Sequence, residues 1–266
     1  MTPRSYLYVP GDQPDKLAGA GRRGADALIV DLEDSVAPGR RPAARSTVAE
    51  HLTGAVAWVR INADTAAEDL AAIAGRPGLA GVVVPKAEPE LLAEVDALLS
   101  GHPDLPVLAL LETARALRRL DEVAGAPRVV RLGIGEADLA GELNLRPGPD
   151  REELWPIRSA VVVASAAAGL LPPVGPVDTS VRDLSALRRT TELLLRQGFR
   201  ARTAISPTQL ATINEVFTPT EQEVAAARDA VARLAAAPSG VALDARGRML
   251  DPAVVRAANE VLGRAR

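Results

Sequence analysis

Two scales of hydrophobic patterning alternate along the chain. Short runs of Val, Ile, Leu and Ala are separated by longer stretches in which Ala and Leu are interleaved with Arg and Glu. The short runs predict strands at Tyr6–Val9, Ala27–Leu32, Ala57–Ile61, Gly81–Val84, Val107–Leu111, Val129–Ile134, Val174–Asp178 and Thr203–Ile205. The longer ones predict helices at Pro14–Arg23, Pro42–Leu52, Ala66–Ala74, Pro89–Leu99, Arg115–Ala124, Glu152–Ala168 and Asp183–Gln197. Several of these open with Pro or an acidic residue, which suits a first helical turn. Runs such as Ala27–Val30 and Gly81–Val84 are continuously apolar, the mark of strands covered on both faces in a parallel sheet. Repeated βα units in one chain of this length point to the α/β class and a closed (β/α)8 TIM barrel. An open doubly wound sheet would carry G-x-G-x-x-G after its first strand. Here that turn reads Val9-Pro-Gly-Asp-Gln-Pro14, and Gly133-Ile134-Gly135 lacks the third glycine.

The barrel is expected over residues 1–217, followed by a C-terminal helical extension over 218–266. That extension reads as a helix at Pro219–Ala237, a break at Pro238-Ser239-Gly240 and a final segment Val241–Arg266. A barrel does not need it to close, so it is expected to serve as a lid or an oligomer contact.

Composition removes whole classes of chemistry. The chain has 266 residues and no Cys, which excludes disulfides, thiolate nucleophiles, zinc–thiolate sites and iron–sulfur clusters. A formal net charge of -3 gives no surface suited to nucleic acid. The longest apolar stretches, Val107–Leu111 and Ala160–Leu171, fall short of the roughly 20 residues that cross a bilayer, and the start of the chain lacks a signal pattern. A cytoplasmic protein with no membrane partner is expected. Of 31 basic residues only Lys16 and Lys86 are lysines.

In such barrels the chemistry collects at the carboxyl ends of the strands. Those ends supply Asp31, Glu33, Asp34, Arg60, Asn62, Lys86, Glu88, Glu112, Thr113, Glu136, Asp138, Asp178 and Ser206 in chain order. The excess of carboxylates calls for a hard cation, and Mg²⁺ is bound by one or two carboxylates together with substrate oxygens and water. Glu112 and Asp138, on neighbouring strands, are the natural pair. Arg60 offers a planar fork for a substrate carboxylate, and Lys86 can instead pair with Glu33 or Glu112 inside the mouth. A metal chelating a 2-oxo acid would act on its carbonyl as a Lewis acid, which suggests C–C bond making or breaking. His51 falls in a helical stretch and His102 in a turn, so no Ser-His-Asp arrangement can be built there.

Seven motifs in order resemble the citrate lyase beta subunit-like family of the HpcH/HpaI aldolase superfamily, whose members include malyl-CoA and citramalyl-CoA lyases. They are Tyr6-Leu-Tyr-Val-Pro-Gly11, Asp31-Leu-Glu-Asp-Ser-Val36, Val59-Arg-Ile-Asn62, Val84-Pro-Lys-Ala-Glu88, Leu111-Glu-Thr-Ala114, Gly135-Glu-Ala-Asp-Leu139 and Ala204-Ile-Ser-Pro-Thr-Gln209. Gly247-Arg-Met-Leu-Asp251 extends the likeness towards the C-terminus. The resemblance implies a Mg²⁺-dependent lyase that splits a 3-hydroxyacyl thioester into a 2-oxo acid and an acyl thioester, or joins them. By position, Glu112 and Asp138 would hold Mg²⁺, Arg60 would bind the oxo acid, and Glu33 and Lys86 would belong to the inner polar shell. Gly135, Pro207 and Gln209 would lie along the substrate. Asp251 would act as acid or base on the thioester enolate of a neighbouring subunit, within a homotrimer. Lys16, Arg22, Arg40 and Arg41 would be available to coenzyme A phosphates. Two positions depart from the family: Ser206 stands where Ile-His-Pro is usual, and Gly-Glu-Ala-Asp replaces the commoner Gly-Ala-Glu-Asp.

Two other activities fit the same residues. A thioesterase would end the same enolate chemistry with water taking the acyl group, and a citrate lyase beta chain would act on an acyl-carrier-protein thioester within a complex.

Overall fold

The structure, a computed structural model, describes residues 2–237 and 241–265, so the expected break at Pro238-Ser239-Gly240 lies outside the described residues. It divides into two compact units, Pro3–Asn214 and the segment from Glu215 onward.

The first unit is a closed barrel of eight parallel strands, each bonded to the next and the last to the first. These are β1 (Ser5–Pro10), β2 (Ala27–Asp31), β3 (Ala57–Arg60), β4 (Leu79–Val84), β5 (Val107–Leu111), β6 (Val129–Ile134), β7 (Leu171–Gly175) and β8 (Ala201–Ala204). Around them run α1 (Pro14–Ala20), α2 (Arg41–His51), α3 (Ala66–Ile73), α4 (Pro89–Leu98), α5 (Ala114–Arg118), α6 (Leu120–Ala124), α7 (Glu136–Glu142), α8 (Trp155–Ala167) and α9 (Leu184–Arg196). Helix α9 shows why such segments fold as they do. Asp183 caps it by accepting from the Ala186 N–H, and Leu187, Thr191 and Leu194 share one buried face. Inside the ring Tyr6, Ile29, Val83, Leu108, Leu110 and Val174 pack together, with Trp58 edge-on to Tyr6 at 6.3 Å between centroids. The interior is therefore filled rather than open, and the usable space lies at its mouth.

Strands β7 and β8 depart most from their sequence-based bounds, and a buried arginine lies at each of them, Arg131 beside β7 and Arg202 within β8. Strand β7 was expected at Val174–Asp178 but starts at Leu171 and takes in Pro172 and Pro173. These prolines have no N–H to give, and the β6–β7 register shifts between Arg131 and Gly133 opposite them. Arg131, 1% exposed, donates instead: Nε to the Pro172 carbonyl at 2.6 Å, and Nη1 to the Pro3 carbonyl and the Tyr6 hydroxyl. Burial among these neutral acceptors pulls its pKa below the usual arginine value. Strand β8 likewise begins earlier than Thr203, around buried Arg202, which donates to the Pro176 carbonyl and to the Thr190 and Thr191 hydroxyls. Asp178 consequently sits in the loop beyond β7, where it faces Arg202 at 3.3 Å. The predicted helix Arg115–Ala124 divides into α5 and α6 at Arg119, and α7 forms where no helix was expected.

Helix α10 (Leu210–Phe217) follows the barrel. The second unit contains α11 (Glu221–Ala235), the antiparallel pair β9 (Ala242–Leu243) and β10 (Met249–Leu250), and α12 (Pro252–Arg264). Thr220 and Glu223 form a reciprocal capping box at the start of α11, and Ala227, Ala230, Leu250 and Ala258 make a small core. Among the described residues no helix is long and apolar enough to cross a membrane.

Candidate active site at the barrel mouth

A cavity of about 490 Å³ opens at the carboxyl ends of the strands. Its wall includes Tyr8, Asp31, Arg60, Glu112, Asp138 and Arg151. Asp31, Arg60 and Glu112 reach it because they stand at the end of, or directly after, β2, β3 and β5, where each largely apolar strand gives way to a loop.

Arg60, at the end of β3, is the hub. Its Nε and Nη2 each donate at 2.7 Å to the two oxygens of Asp31, while Nη1 lies 3.0 Å from Asp34 and 2.9 Å from Glu33. Its guanidinium stacks 4.8 Å above the Tyr8 ring. Burial works against this charge, but the Asp31 hydrogen bonds and the surrounding negative charges more than offset it, so its pKa stands above the ordinary value. Burial opposes the Asp31 carboxylate too, and the Arg60 contacts still hold its pKa below the usual range. Burial also lifts the Tyr8 hydroxyl above its usual pKa. The fork expected to receive a substrate carboxylate pairs with Asp31 in this structure, and Arg60 also lines the cavity.

Lys86 follows β4 in the left-handed region at φ 46°. Of the two partners open to it, Nζ takes Glu33 at 2.8 Å, while its backbone N–H donates to Glu112 Oε2 at 2.8 Å. The bond to Glu33 raises the Lys86 pKa, and burial leaves Glu33 above its own ordinary value despite Arg60 and Lys86. Neither residue lines the cavity, but the Lys86 backbone N–H holds Glu112, which does.

Glu112 ends β5 and is 6% exposed. Burial, together with the negative charges of Glu33 and Asp138, pushes its pKa up to about 7, against partial relief from the Lys86 N–H and Arg60. Asp138 lies exposed in the first turn of α7 and faces the same cavity. Gly135 precedes that helix, and its missing side chain has a specific cause: a Cβ there would stand 2.5 Å from Glu112 Cγ and 2.7 Å from Oε1. Among the described residues no three His, Asp or Glu side chains gather to hold a metal unaided. Two carboxylates at a buried, charge-rich mouth fit Mg²⁺, which completes its shell with water and substrate oxygens.

Other strand-end residues are structural. Asn62 is buried, with its side-chain amide donating to the Leu32 carbonyl and Asp69. Glu88 accepts from Thr113 and pairs with Arg115. Glu136, 2% exposed, is gripped by Arg158 through Nε at 2.5 Å and Nη2 at 3.0 Å, with Arg151 at 3.2 Å. Gln209 is fully buried: its Nε2 donates to the Asp178 carbonyl and its Oε1 accepts from the Ile205 and Ser206 N–H groups. It ties the loop after β7 to the β8 loop, with both ends of its amide engaged by backbone groups. Pro207 is exposed in that loop, and Ser206 caps the same short turn. Of the cations expected for coenzyme A, Arg40 and Arg41 pair with Asp12 and Asp64, and Lys16 and Arg22 are exposed. In the second unit Asp251 caps α12 by accepting from the Val254 N–H at 2.9 Å. Arg151 escaped the strand-end argument, because it lies in the Pro147-Gly-Pro-Asp-Arg151 loop after α7, with no periodicity to mark it.

Comparison with known proteins places this geometry. The family model for HpcH/HpaI aldolase/citrate lyase matches residues 4–207. A (3S)-malyl-CoA thioesterase of Cereibacter sphaeroides is 35% identical over 237 residues, covering 86% of this chain and 82% of that protein. The citrate lyase subunit beta of Leuconostoc mesenteroides is 30% identical, covering 97% of this chain and 92% of its own. The crystal structure of CitE from Mycobacterium tuberculosis in complex with magnesium, acetoacetate and coenzyme A superposes with a TM-score of 0.82 at 28% identity, over 98% of this chain and 97% of that one.

Proposed function

The chain belongs to the HpcH/HpaI aldolase/citrate lyase family, and from that membership we propose that its barrel mouth cleaves, or in reverse forms, the C2–C3 bond of a 3-hydroxyacyl-CoA, yielding a 2-oxo acid and a shorter acyl-CoA. The observation that carries this reading is the pairing of desolvated Glu112 with Asp138 on one cavity wall, a donor set suited to Mg²⁺. When bound there, the ion would supply Lewis-acid polarisation of the carbonyl oxygen. CitE from Mycobacterium tuberculosis, complexed with magnesium and coenzyme A, supports the choice of metal and thioester.

The chain's own groups divide the remaining work. The Lys86 backbone N–H keeps Glu112 in place, and Gly135 leaves it room. In the cleavage direction a base removes the 3-hydroxyl proton, the C2–C3 electron pair passes to the thioester side as an enolate, and C3 becomes the carbonyl of the oxo acid. Asp251, protonated, returns a proton to the enolate carbon. We assign it this role in trans within a homotrimer, with the unit from Glu215 onward serving as the lid.

The capping bond of Asp251 allows its two roles to be separated. Asp251→Asn keeps a side-chain oxygen for the Val254 N–H, so the melting temperature is expected to hold, while turnover falls by about 10²- to 10⁴-fold. Unchanged turnover in this variant removes Asp251 from the mechanism.

One observation favours a second reading. The similarity to a (3S)-malyl-CoA thioesterase supports hydrolysis of the thioester after the same enolate chemistry. A panel of malyl-, citramalyl- and citryl-CoA with Mg²⁺, analysed by mass spectrometry, decides between them. Release of a 2-oxo acid with a shorter acyl-CoA is expected. Free CoA with the intact acid establishes the thioesterase, and no reaction across the panel moves the reading to carrier-protein thioesters.

A further inference from the structure

Arg60 and Arg151 are the cations that line the cavity among the described residues, and they are not equivalent. Arg60 is surrounded by Asp31, Glu33 and Asp34, all within 3.0 Å. Arg151 contacts one carboxylate, that of Glu136, through Nη1 at 3.2 Å, and Glu136 is itself neutralised by the buried Arg158. Nε and Nη2 of Arg151 make no bond among the described residues, and its side chain is 29% exposed. Its backbone is held at φ 53° and ψ 37°, a left-handed conformation that costs any residue with a Cβ. In a ring of eight strands β3 lies opposite β7, so the loop after β6 brings Arg151 to the side of the mouth away from Arg60.

The Glu136–Ala137 order explains how this cation is kept. A carboxylate at 136 points into the wall, where Arg158 and Arg151 meet it, and leaves small Ala137 beside the cavity. If Glu112 and Asp138 hold the metal, and with it the 2-oxo acid end of the substrate, the half-free guanidinium would face what that acid carries at its other end.

We infer that Arg151 is a specificity-determining residue that binds a second carboxylate, so that the 2-oxo acid handled here is a dicarboxylate. This rests on the metal-assisted reading of the mouth given above. An arginine with two donors directed at one anion would supply a charge-assisted, bidentate contact that a monocarboxylic acid cannot use.

Isothermal titration of the full chain in Mg²⁺ with pyruvate and with freshly dissolved oxaloacetate tests this, alongside Arg151→Gly. Glycine accepts the positive φ without strain, so the variant is expected to melt no lower than wild type, which separates lost charge from lost fold. Wild type is expected to bind oxaloacetate at least tenfold more tightly than pyruvate. Arg151→Gly should bring the two within about twofold while leaving pyruvate and Mg²⁺ binding unchanged. Equal affinities in wild type, or a preference that survives in the variant, overturn the inference and leave the metal-assisted reading standing. So does loss of both acids in a folded variant, since it would put Arg151 on the carboxylate they share. Binding of neither acid to wild type in Mg²⁺ defeats the metal-assisted reading itself, and this inference with it.

Discussion

Replacing Glu112 with Gln is expected to cut turnover by about 10³-fold or more, yet to raise the melting temperature of the metal-free protein at neutral to alkaline pH. The first effect follows from losing one of two metal-holding carboxylates, since Lewis-acid assistance is worth several kcal/mol and each 1.36 kcal/mol is tenfold in rate. The second follows from the Glu112 pKa, pushed up to about 7 from an ordinary 4.5 by burial and by the charges of Glu33 and Asp138. Between those values the folded protein holds a proton that the unfolded chain has released. The associated stability is fully present below the unfolded value and is lost as pH rises through the folded one. Above pH 7 wild type therefore carries a buried, ill-compensated charge that costs a few kcal/mol, on the order of 1.4 kcal/mol per pKa unit, and Gln carries none. For a domain of this size the gain corresponds to roughly 5–10 °C. Calorimetry in chelator at pH 8 and pH 5 checks the sign: the gain should be large at the first and small at the second. Added Mg²⁺ should stabilise wild type and leave Glu112→Gln unmoved. A variant that melts below wild type at pH 8 would show that the Glu112 charge is already compensated.

Arg60→Met is expected to lower the melting temperature by about 10 °C near neutral pH. Removing one partner of a buried ion pair costs about 3–5 kcal/mol, because the other charge is left without compensation. Asp31 and Glu33, 2% and 6% exposed, would be left in that position, with Lys86 still serving Glu33. The deficit depends on pH in a definite direction. Arg60 depresses the Asp31 pKa, so the pair's stability is present above the unfolded value of 3.8 and is lost as pH falls through the folded one. In the variant burial instead favours the protonated acids, and the gap to wild type should narrow as the pH is lowered towards 4. Parallel melting curves that keep a constant gap from pH 8 to pH 4 would place the loss in packing against Tyr8 rather than in charge.

Residues 107–111 read correctly from sequence because a strand covered on both faces is simply apolar from end to end, and 129–134 did so because its apolar residues outweigh the single Arg131. Strands β7 and β8 resisted the same reading. Their prolines and arginine are tolerated only through carbonyl and hydroxyl acceptors supplied by other parts of the ring, and periodicity does not encode those. At the mouth, the strand-end rule identified Asp31, Glu33, Arg60, Lys86, Glu112 and Asp138 as candidates, since polar residues that end apolar runs have few other places to go. It did not reveal which partners each would take. That Arg60 closes on Asp31, and that Glu112 receives the Lys86 N–H, depends on the twist and stagger of neighbouring strands. The engagement of Gln209 was not legible either, because its partners lie partly in its own loop and partly, through the Asp178 carbonyl, in the loop after β7. Arg151 left no signal, since its position depends on a left-handed residue and a buried carboxylate fifteen positions earlier.

Arg131 has a consequence for how the barrel assembles. Its acceptors come from Pro3 and Pro172, 128 and 41 residues away along the chain, and among the described residues its Nη2 has no hydrogen-bond partner even when the ring is complete. A partial barrel ending before β7 would lack the Pro172 carbonyl, and one lacking the first strand would lose both the Pro3 carbonyl and the Tyr6 hydroxyl. In either intermediate the guanidinium is better solvated by water than by protein, and it holds that seam open. A half-barrel therefore leaves this guanidinium in water, and only the finished ring brings the Pro3, Tyr6 and Pro172 acceptors to it together.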